Sequence, residues 1–217
     1  MSGALQAVFQ NLRSFGLSIG DAYQGGFYVG QISTAGNGIA DYNIVVGPLS
    51  SAQATGLQWK NALTATPGAD SVINGPQNTA DITADGNSTV YPAAWFCKNL
   101  SVGGFSDWYM PASHELEICY YNLKPTTAGN NTSYGANNNA VPIRNSNYTQ
   151  FIPAQTGAVA FQTGNSQAFS SAYPQYWSST EASATNAYRQ YFGNGFTNQG
   201  GKYYYNTTVR AIRRVAV

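Results

Sequence analysis

Histidine and acidic residues are the side chains whose types could do acid–base chemistry in this sequence, and they are few. The single histidine, His114, stands next to Glu115 at the start of a predicted helix. A Ser/His/Asp or Cys/His arrangement would have to be built around it, but no G-x-S-x-G turn and no suitable partner spacing accompany it. The sequence therefore predicts an exposed histidine at a helix start, not a catalytic one.

The carboxylates form no convincing pair for general acid–base catalysis. Glu115 and Glu117 are two residues apart on a predicted helix, so they point to different faces. Asp107 and Glu181 have no obvious partner carboxylate in their own motifs. A polysaccharide-cleaving enzyme needs two carboxyl groups that face each other, and it is kept only as a second alternative.

Thiol and metal chemistry also lack support. One histidine cannot make a two-histidine site, and Cys97 and Cys119 are too few for a four-thiolate zinc site. Both cysteines fall in apolar helical stretches and are predicted to be buried thiols, with a single disulfide between them left open. The oxygen-rich loop at 81–87, with Asp81 and Asp85, leaves a bound ion as an alternative, but no metal site and no cofactor is predicted.

The residues that favour recognition lie near the C-terminus and in a long loop. In the run AYRQYFGNG, strand alternation places Arg189 and Tyr191 on the face opposite to Phe192, so one face must point away from the core. Exposed Tyr and Arg suit partner recognition. The predicted ligand or partner surface comprises Asn145, Asn147, Tyr148, Arg189, Tyr191, Phe196 and Asn198. Ordinary solvent-facing sheet and subunit packing is the alternative.

The composition fits a recognition domain and argues against strongly charged partners. The 217 residues carry 9% charged side chains and a formal net charge of +1, so neither nucleic acid nor an anionic membrane is an expected partner. Gly (23) and Tyr (16) are abundant, as in turn-rich β proteins with hydroxyl-bearing aromatic surfaces. No apolar run approaches membrane-spanning length and no export signal is visible, so membrane insertion is not expected.

The elements that must position these residues follow the order β, helix, helix, long loop, β. A β-hairpin is predicted over 25–51, followed by a polar, loop-rich stretch to Thr89. Two helices come next, one over 91–100 entered through Pro92 and one opened by Pro111. Long surface loops are predicted over 126–175, and the closing runs QYWSSTE, AYRQYFGNG and YYYNTTVRAIRRVAV predict an antiparallel meander.

Three motifs in a fixed order carry a resemblance to a known family. They are GGFSDWYMPASHELE (103–117), YWSSTE (176–181) and TVRAIRRV (208–215). The chain resembles, over residues 20–217, the C-terminal domain of the Legionella collagen-like adhesins, which also occurs in phage tail and virion proteins. The resemblance implies an α+β, C-type-lectin-like fold with two helices, a twisted antiparallel sheet, N- and C-terminal strands that meet, and long surface loops. The calcium-binding motifs of sugar-binding C-type lectins are absent, so calcium-dependent sugar binding is not expected.

The first motif is predicted to build the scaffold. Asp107 would accept backbone N–H bonds in the turn before the second helix, Trp108 would enter the core, and Pro111 would start the helix.

The other two motifs are also expected to be structural. Trp177 is predicted to fill the core. Glu181 would form an ion pair with Arg210 or Arg213 of the last strand.

Two segments and one function are predicted from these features. Residues 1–19 form an N-terminal amphipathic helix, with Ser2 as N-cap and Phe15 closing its apolar stripe, and residues 20–217 form the lectin-like domain. The predicted function is a non-enzymatic receptor-binding or adhesion module on a phage virion surface, assembled in the host cytoplasm and recognising a host surface polysaccharide or protein. The alternative is a structural capsid-decoration, neck or tail component that binds other virion proteins through residues 2–15. A homo-oligomer is expected in either case.

Overall fold

The computed structural model describes residues 16–172 and 175–217, so the helix predicted over 2–15 lies outside the described residues. The strands are β1 (Ala22–Tyr23), β2 (Gly26–Ile32), β3 (Tyr42–Val46), β4 (Gln53–Thr55), β5 (Ala140–Val141), β6 (Tyr176–Glu181), β7 (Asn186–Gln190), β8 (Thr197–Gly201), β9 (Thr208–Arg210) and β10 (Ile212–Ala216). The helices are α1 (Leu49–Ala52), α2 (Gly75–Asp85), α3 (Pro92–Lys98) and α4 (Ser113–Leu123), with a 3-10 turn at Val159–Phe161.

The described strands form two sheets of five. The first has the order β1-β2-β3-β10 with β5 added to β2, and the second has the order β4-β9-β6-β7-β8. The last strand, β10, pairs antiparallel with β3 from Ile212 opposite Val46 to Ala216 opposite Tyr42. The C-terminal strand therefore joins the same sheet as the N-terminal strands through β3, although β1 lies at the opposite edge, and the chain has the predicted α+β, C-type-lectin-like fold.

The hairpin predicted over 25–51 is confirmed as β2 and β3. Its register shifts between Tyr28 and Gly30, where Gly30 has a φ of +133°. A Cβ added at Gly30 would lie 2.7 Å from the side-chain nitrogen of Asn122, so a glycine is needed for α4 to approach the strand. The Asn122 Nδ2 donates to the Val29 carbonyl at 2.7 Å, which fastens α4 to this sheet.

The prediction of a loop up to Thr89 is wrong for α2. The Asn74 side chain caps this helix, and a proline occupies its first turn. Its buried face combines Ile82 with polar side chains, and the Asn78 Nδ2 donates to the Ser71 carbonyl at 2.7 Å. Because the polar residues on that face are paired, the helix packs although its hydrophobic periodicity is weak.

Helix α3 begins at Pro92 as predicted, but Pro111 does not open α4, which starts two residues later. Ala112, before the first helical residue, is extended, and its N–H donates to the Glu115 Oε2 at 2.8 Å. The Pro111 carbonyl accepts the Ser179 N–H at 2.7 Å. That bond holds Pro111 against β6, so the helix begins only at Ser113.

The predicted closing meander is only partly correct. β6, β7 and β8 do form an antiparallel meander. β9, however, pairs parallel with β6, whereas β10 belongs to the other sheet. The chain changes sheets at Ala211, whose N–H donates to the Ala52 carbonyl and whose carbonyl accepts the Gly47 N–H. One strand-like run therefore serves two sheets.

The core lies between the sheets and the helices as two hydrophobic clusters. Trp108 and Trp177 are 3% and 0% exposed and belong to the same cluster, which confirms their predicted core positions. Among the described residues, no helix combines the length and the apolar character that a membrane crossing requires.

Candidate recognition surface

The β7–β8 hairpin holds Arg189 in a defined position. Arg189 stands opposite Asn198 in the pairing, and its Nε donates to the Asn198 Oδ1 at 3.1 Å. The guanidinium carbon lies 5.7 Å from the Trp177 ring centroid and 5.3 Å from that of Tyr204. Gly200 leaves the space for it, because a Cβ added there would lie 2.4 Å from the Arg189 Nε. Arg189 is half-buried and ordered in advance, which reduces the entropy lost when a partner binds.

The turn between these strands carries Tyr191 and Phe196, and both side chains are half-buried. The Tyr191 hydroxyl donates to the Ser171 carbonyl at 2.5 Å. The Phe196 ring packs edge-on against Tyr134, with 5.4 Å between the ring centroids. Each ring thus rests on a loop with part of its surface open to solvent, and neither is deep in the core.

The long loop displays Asn145 and Asn147 but places Tyr148 inside the protein. The two asparagines are exposed, whereas Tyr148 is 5% exposed and its hydroxyl donates to the Glu117 Oε1 at 2.8 Å. A pocket of about 300 Å³ lies beside them, lined by Tyr121, Arg144, Asn145, Ser146, Asn147, Tyr148, Thr149 and Ile152. Tyr148 therefore supports this region from below, and the asparagines face solvent.

The two predicted parts of the surface are joined where the long loop meets the β7–β8 turn. The Tyr148 N–H donates to the Tyr134 carbonyl at 2.6 Å, and the Tyr134 ring contacts Phe196. The loop is therefore continuous with the β7–β8 turn. Arg189 and Asn198 lie farther along the hairpin, beside Tyr204.

Three successive tyrosines after β8 were missed by the sequence interpretation, which assigned them to a strand. Tyr203, Tyr204 and Tyr205 are 45%, 41% and 68% exposed. The sequence feature that could have revealed them is the glycine pair Gly200 and Gly201, which is unfavourable inside a strand. The strand ends at Gly201, and the buried Lys202 separates it from the tyrosines. These rings extend the candidate surface from Arg189 to the edge of the sheet.

Glu181 pairs with Lys202, and its expected pairing with Arg210 or Arg213 is wrong. Lys202 is fully buried, and its Nζ also donates to the Thr64 carbonyl at 2.9 Å. Burial lowers the pKa of Lys202, while the Glu181 carboxylate opposes that shift. Glu181 lies at the end of β6 that faces the turn after β8, so the lysine is the nearer cation.

The two arginines have other partners. Arg213 binds Asp107 through two parallel hydrogen bonds, Nε to Oδ1 at 2.7 Å and Nη2 to Oδ2 at 2.8 Å. These bonds lower the pKa of Asp107. The Asp107 carboxylate was expected to accept backbone N–H bonds in the turn, but its main partner is the Arg213 guanidinium. Arg210 is 1% exposed, donates to the Gly47 carbonyl at 3.0 Å, and lies 4.6 Å from the Phe169 ring centroid.

The helix-start carboxylates are enclosed and satisfied by protein donors. Glu115 is 0% exposed and accepts from the Tyr109 hydroxyl at 2.5 Å and the Arg214 Nε at 2.7 Å. Burial raises the pKa of Glu115, and Arg214 opposes the rise. Glu117 accepts from Tyr148 and is ion-paired with Arg144. Such enclosed groups orient the scaffold, and their geometry does not present a general acid or base to a substrate.

His114 is partly exposed at the start of α4, and its Nδ1 contacts the Asn139 Oδ1 at 3.0 Å. It therefore connects the helix to the long loop. No carboxylate or hydroxyl nucleophile is bonded to its ring in the described structure.

The cysteines and the proposed ion loop have structural roles. Cys97 and Cys119 are buried and free, and burial raises the pKa of both thiols. Asp81 and Asp85 belong to α2 instead of an open loop, and Asp85 is bonded to the Tyr91 hydroxyl. Within residues 16–172 and 175–217, no group of three or more His, Cys, Asp or Glu side chains is arranged to hold a metal ion.

The described residues combine a C-type-lectin-like scaffold and internal ion pairs with tyrosines and amides on the outer surface, and the family that the sequence matches suggests an adhesin-like module. Residues 51–213 match the family model described as the Lcl C-terminal domain. The chain belongs to this family, which is not a known enzyme family, and the suspected resemblance is confirmed. No curated protein matches the sequence.

Proposed function

We propose that this protein is a non-enzymatic receptor-binding module on a phage virion surface, and that it recognises a host surface polysaccharide or protein. The observation that carries the proposal is the β7–β8 hairpin. Its turn carries the half-buried Tyr191 and Phe196, and next to the turn lies an arginine that Asn198 already orients.

The physical support comes from the cost of ordering a binding surface. Tyrosine and phenylalanine offer large contact areas with few rotatable bonds, and these rings are already restrained by Ser171 and Tyr134. Asn145 and Asn147 add flexible hydrogen-bonding groups at the continuous loop. In such a surface of restrained aromatic rings and adaptable amides, a few hot-spot residues can supply most of the binding energy.

The test uses purified, fluorescently labelled protein and a panel of candidate bacterial host strains, with cell-bound fluorescence measured by flow cytometry. Wild type should label susceptible cells, and Tyr191→Ala and Phe196→Ala should each lower labelling at least tenfold, as expected for hot-spot aromatics worth about 1.4 kcal/mol or more. Ile39→Ala is the matched control, because Ile39 is 69% exposed in the turn between β2 and β3.

Labelling that survives both substitutions, or that is absent from every strain of the panel, overturns the proposal. Reducing sugar released from host polysaccharide by the isolated protein would favour the enzymatic alternative. Melting temperatures of all variants are compared with wild type, so that unfolding is not mistaken for loss of a contact.

A further inference from the structure

We infer that Tyr203, Tyr204 and Tyr205 form a stacking platform for an uncharged saccharide. The inference rests on the proposed recognition function and names its ligand class. These three residues are called the tyrosine platform below.

The exposure of the platform is the first observation. The three side chains are 45%, 41% and 68% exposed, and the Tyr203 and Tyr204 ring centroids are 4.9 Å apart with an angle of 44° between the planes. A saccharide ring presents a face of C–H groups, which is apolar and weakly positive. The negative face of an aromatic ring is complementary to it.

The backbone under the platform is held firmly. Lys202 is buried with Glu181, and its carbonyl accepts the Trp59 N–H at 2.9 Å. The Tyr203 carbonyl accepts a hydrogen bond from the Gln58 Nε2 at 2.7 Å. The rings are therefore presented from an anchored turn, which limits the entropy lost on binding.

Glycine at position 201 allows the rings to lie close to the sheet. A Cβ added at Gly201 would lie 3.1 Å from the Tyr203 ring and 3.2 Å from the Tyr204 ring. Tyr204 also has the Arg189 guanidinium 5.3 Å from its centroid. The strand edge thus supports both rings closely.

The distribution of positive charge favours a neutral ligand. A polyanion binds through several free Lys or Arg side chains at once. Among the described residues, five cations form ion pairs: Lys60, Arg144, Lys202, Arg213 and Arg214. Lys124 and Arg210 are each 1% exposed. Exposed Lys98 and half-buried Arg189 are the other described cations, and they do not make a polyanion track.

Polar groups for sugar hydroxyls border the platform. Asn198 is half-buried on the adjoining strand, and its Oδ1 accepts from Arg189, whose guanidinium lies 5.3 Å from the Tyr204 ring centroid. Amides both donate and accept hydrogen bonds, as hydroxyls require. An aromatic floor with an amide border is the composition expected for an uncharged sugar.

The experiment is affinity electrophoresis of the full chain in native gels that contain dextran, mannan or galactomannan, with dextran sulfate as the anionic comparison. At least one neutral polymer should retard wild type. The double variant Tyr203→Ala/Tyr204→Ala should weaken retardation about tenfold or more, because two stacking contacts are lost. Tyr204→Phe keeps the ring and should retain binding. Phe151→Ala is the matched control, since Phe151 is 71% exposed outside the platform.

The inference is overturned if no neutral polymer retards the protein, if the double variant is retarded as strongly as wild type, or if only dextran sulfate binds. Cell labelling without any retardation by neutral polymers would leave the proposed function standing while this ligand class fails. If the protein labels no cells but a neutral polymer still retards it through the tyrosine platform, the ligand class stands and the proposed receptor-binding function fails. Circular dichroism of the double variant confirms that it is folded.

Discussion

The Lys202 ammonium and the Glu181 carboxylate form a buried ion pair that joins the turn after β8 to the end of β6. The lysine side chain is 0% exposed and that of the glutamate 13% exposed. The Glu181 Oε1 also accepts the Thr66 N–H at 2.9 Å. This pair therefore connects the interior of the sheet with the tyrosines presented above it.

Removing one partner of that pair should be more damaging than removing both. Glu181→Ala leaves a buried ammonium without its counter-ion and should lower the free energy of unfolding by about 3–5 kcal/mol. Glu181→Leu/Lys202→Met replaces the pair with apolar side chains and should cost clearly less. Urea unfolding at neutral pH measures both. A double variant at least as unstable as Glu181→Ala would contradict the interpretation.

The pair between Asp107 and Arg213 should make stability depend on acid pH. The Arg213 hydrogen bonds hold the pKa of Asp107 below its ordinary value of 3.8, so the native state favours the ionised carboxylate. Its contribution is complete above that value and is lost as the pH falls below it. Because the Asp107 side chain is 56% exposed, Asp107→Asn should cost about 1 kcal/mol or less near pH 7.

Melting temperatures from about pH 7 to about pH 2 test this prediction. The difference between wild type and Asp107→Asn should shrink as the pH falls from 3.8 through the lowered pKa of Asp107. A difference that stays constant over the whole range would show that Asp107 stabilises the fold by another route.

Tyr148→Phe separates a scaffold role of this residue from a ligand contact. The change removes the hydroxyl that donates to Glu117, whose carboxylate keeps its ion pair with Arg144. We expect a loss of about 1–3 kcal/mol in the free energy of unfolding, because a buried acceptor loses one donor. Cell labelling at a temperature where the variant is folded should be unchanged. A selective loss of labelling would instead make the hydroxyl a ligand contact.

Gly200→Ala should weaken recognition without much effect on folding. The added Cβ would lie 2.4 Å from the Arg189 Nε, and the flexible arginine would move away from Asn198 to relieve the overlap. We expect a melting temperature close to wild type, with a stability change within about 1 kcal/mol, and a several-fold loss of cell labelling. Gly157→Ala is the control, because no atom lies within 4 Å of its added Cβ. Equal cell labelling by Gly200→Ala and Gly157→Ala would show that Arg189 does not contribute to the binding surface.

The hairpin β2–β3 and the tryptophans of the motifs could be predicted because each depends on local pattern. Alternation and turn residues define a hairpin within a short segment, and Trp108 and Trp177 have too much apolar surface to be left in water. Helix α2 was not predicted from local pattern because its buried face includes the polar Asn78, whose hydrogen-bond partners lie elsewhere in the chain. The polarity of this segment indicated a loop, because the partners of Asn78 are known only from the tertiary structure.

The candidate surface was only partly predictable for a related reason. Strand alternation correctly separated half-buried Arg189 and Tyr191 from buried Phe192, but it carried no information about what lies above either face. Tyr148 is enclosed because α4 places Glu117 within reach of its hydroxyl. Tyr203 to Tyr205 are exposed because Lys202 turns inward and ends the strand before them.

The amino-acid sequence by itself determined the order of the main strands and helices, which follows from periodicity and turn residues, and the family with its α+β fold, which three short contiguous motifs indicate by resemblance. The choice of ion partners, the division of the last strand-like run between two sheets and the set of exposed tyrosines were decided by the tertiary structure. Those features depend on contacts between residues distant in the chain, such as Arg213 with Asp107 and Lys202 with Glu181. Charge and side-chain type alone allow many such pairings, and packing selects one.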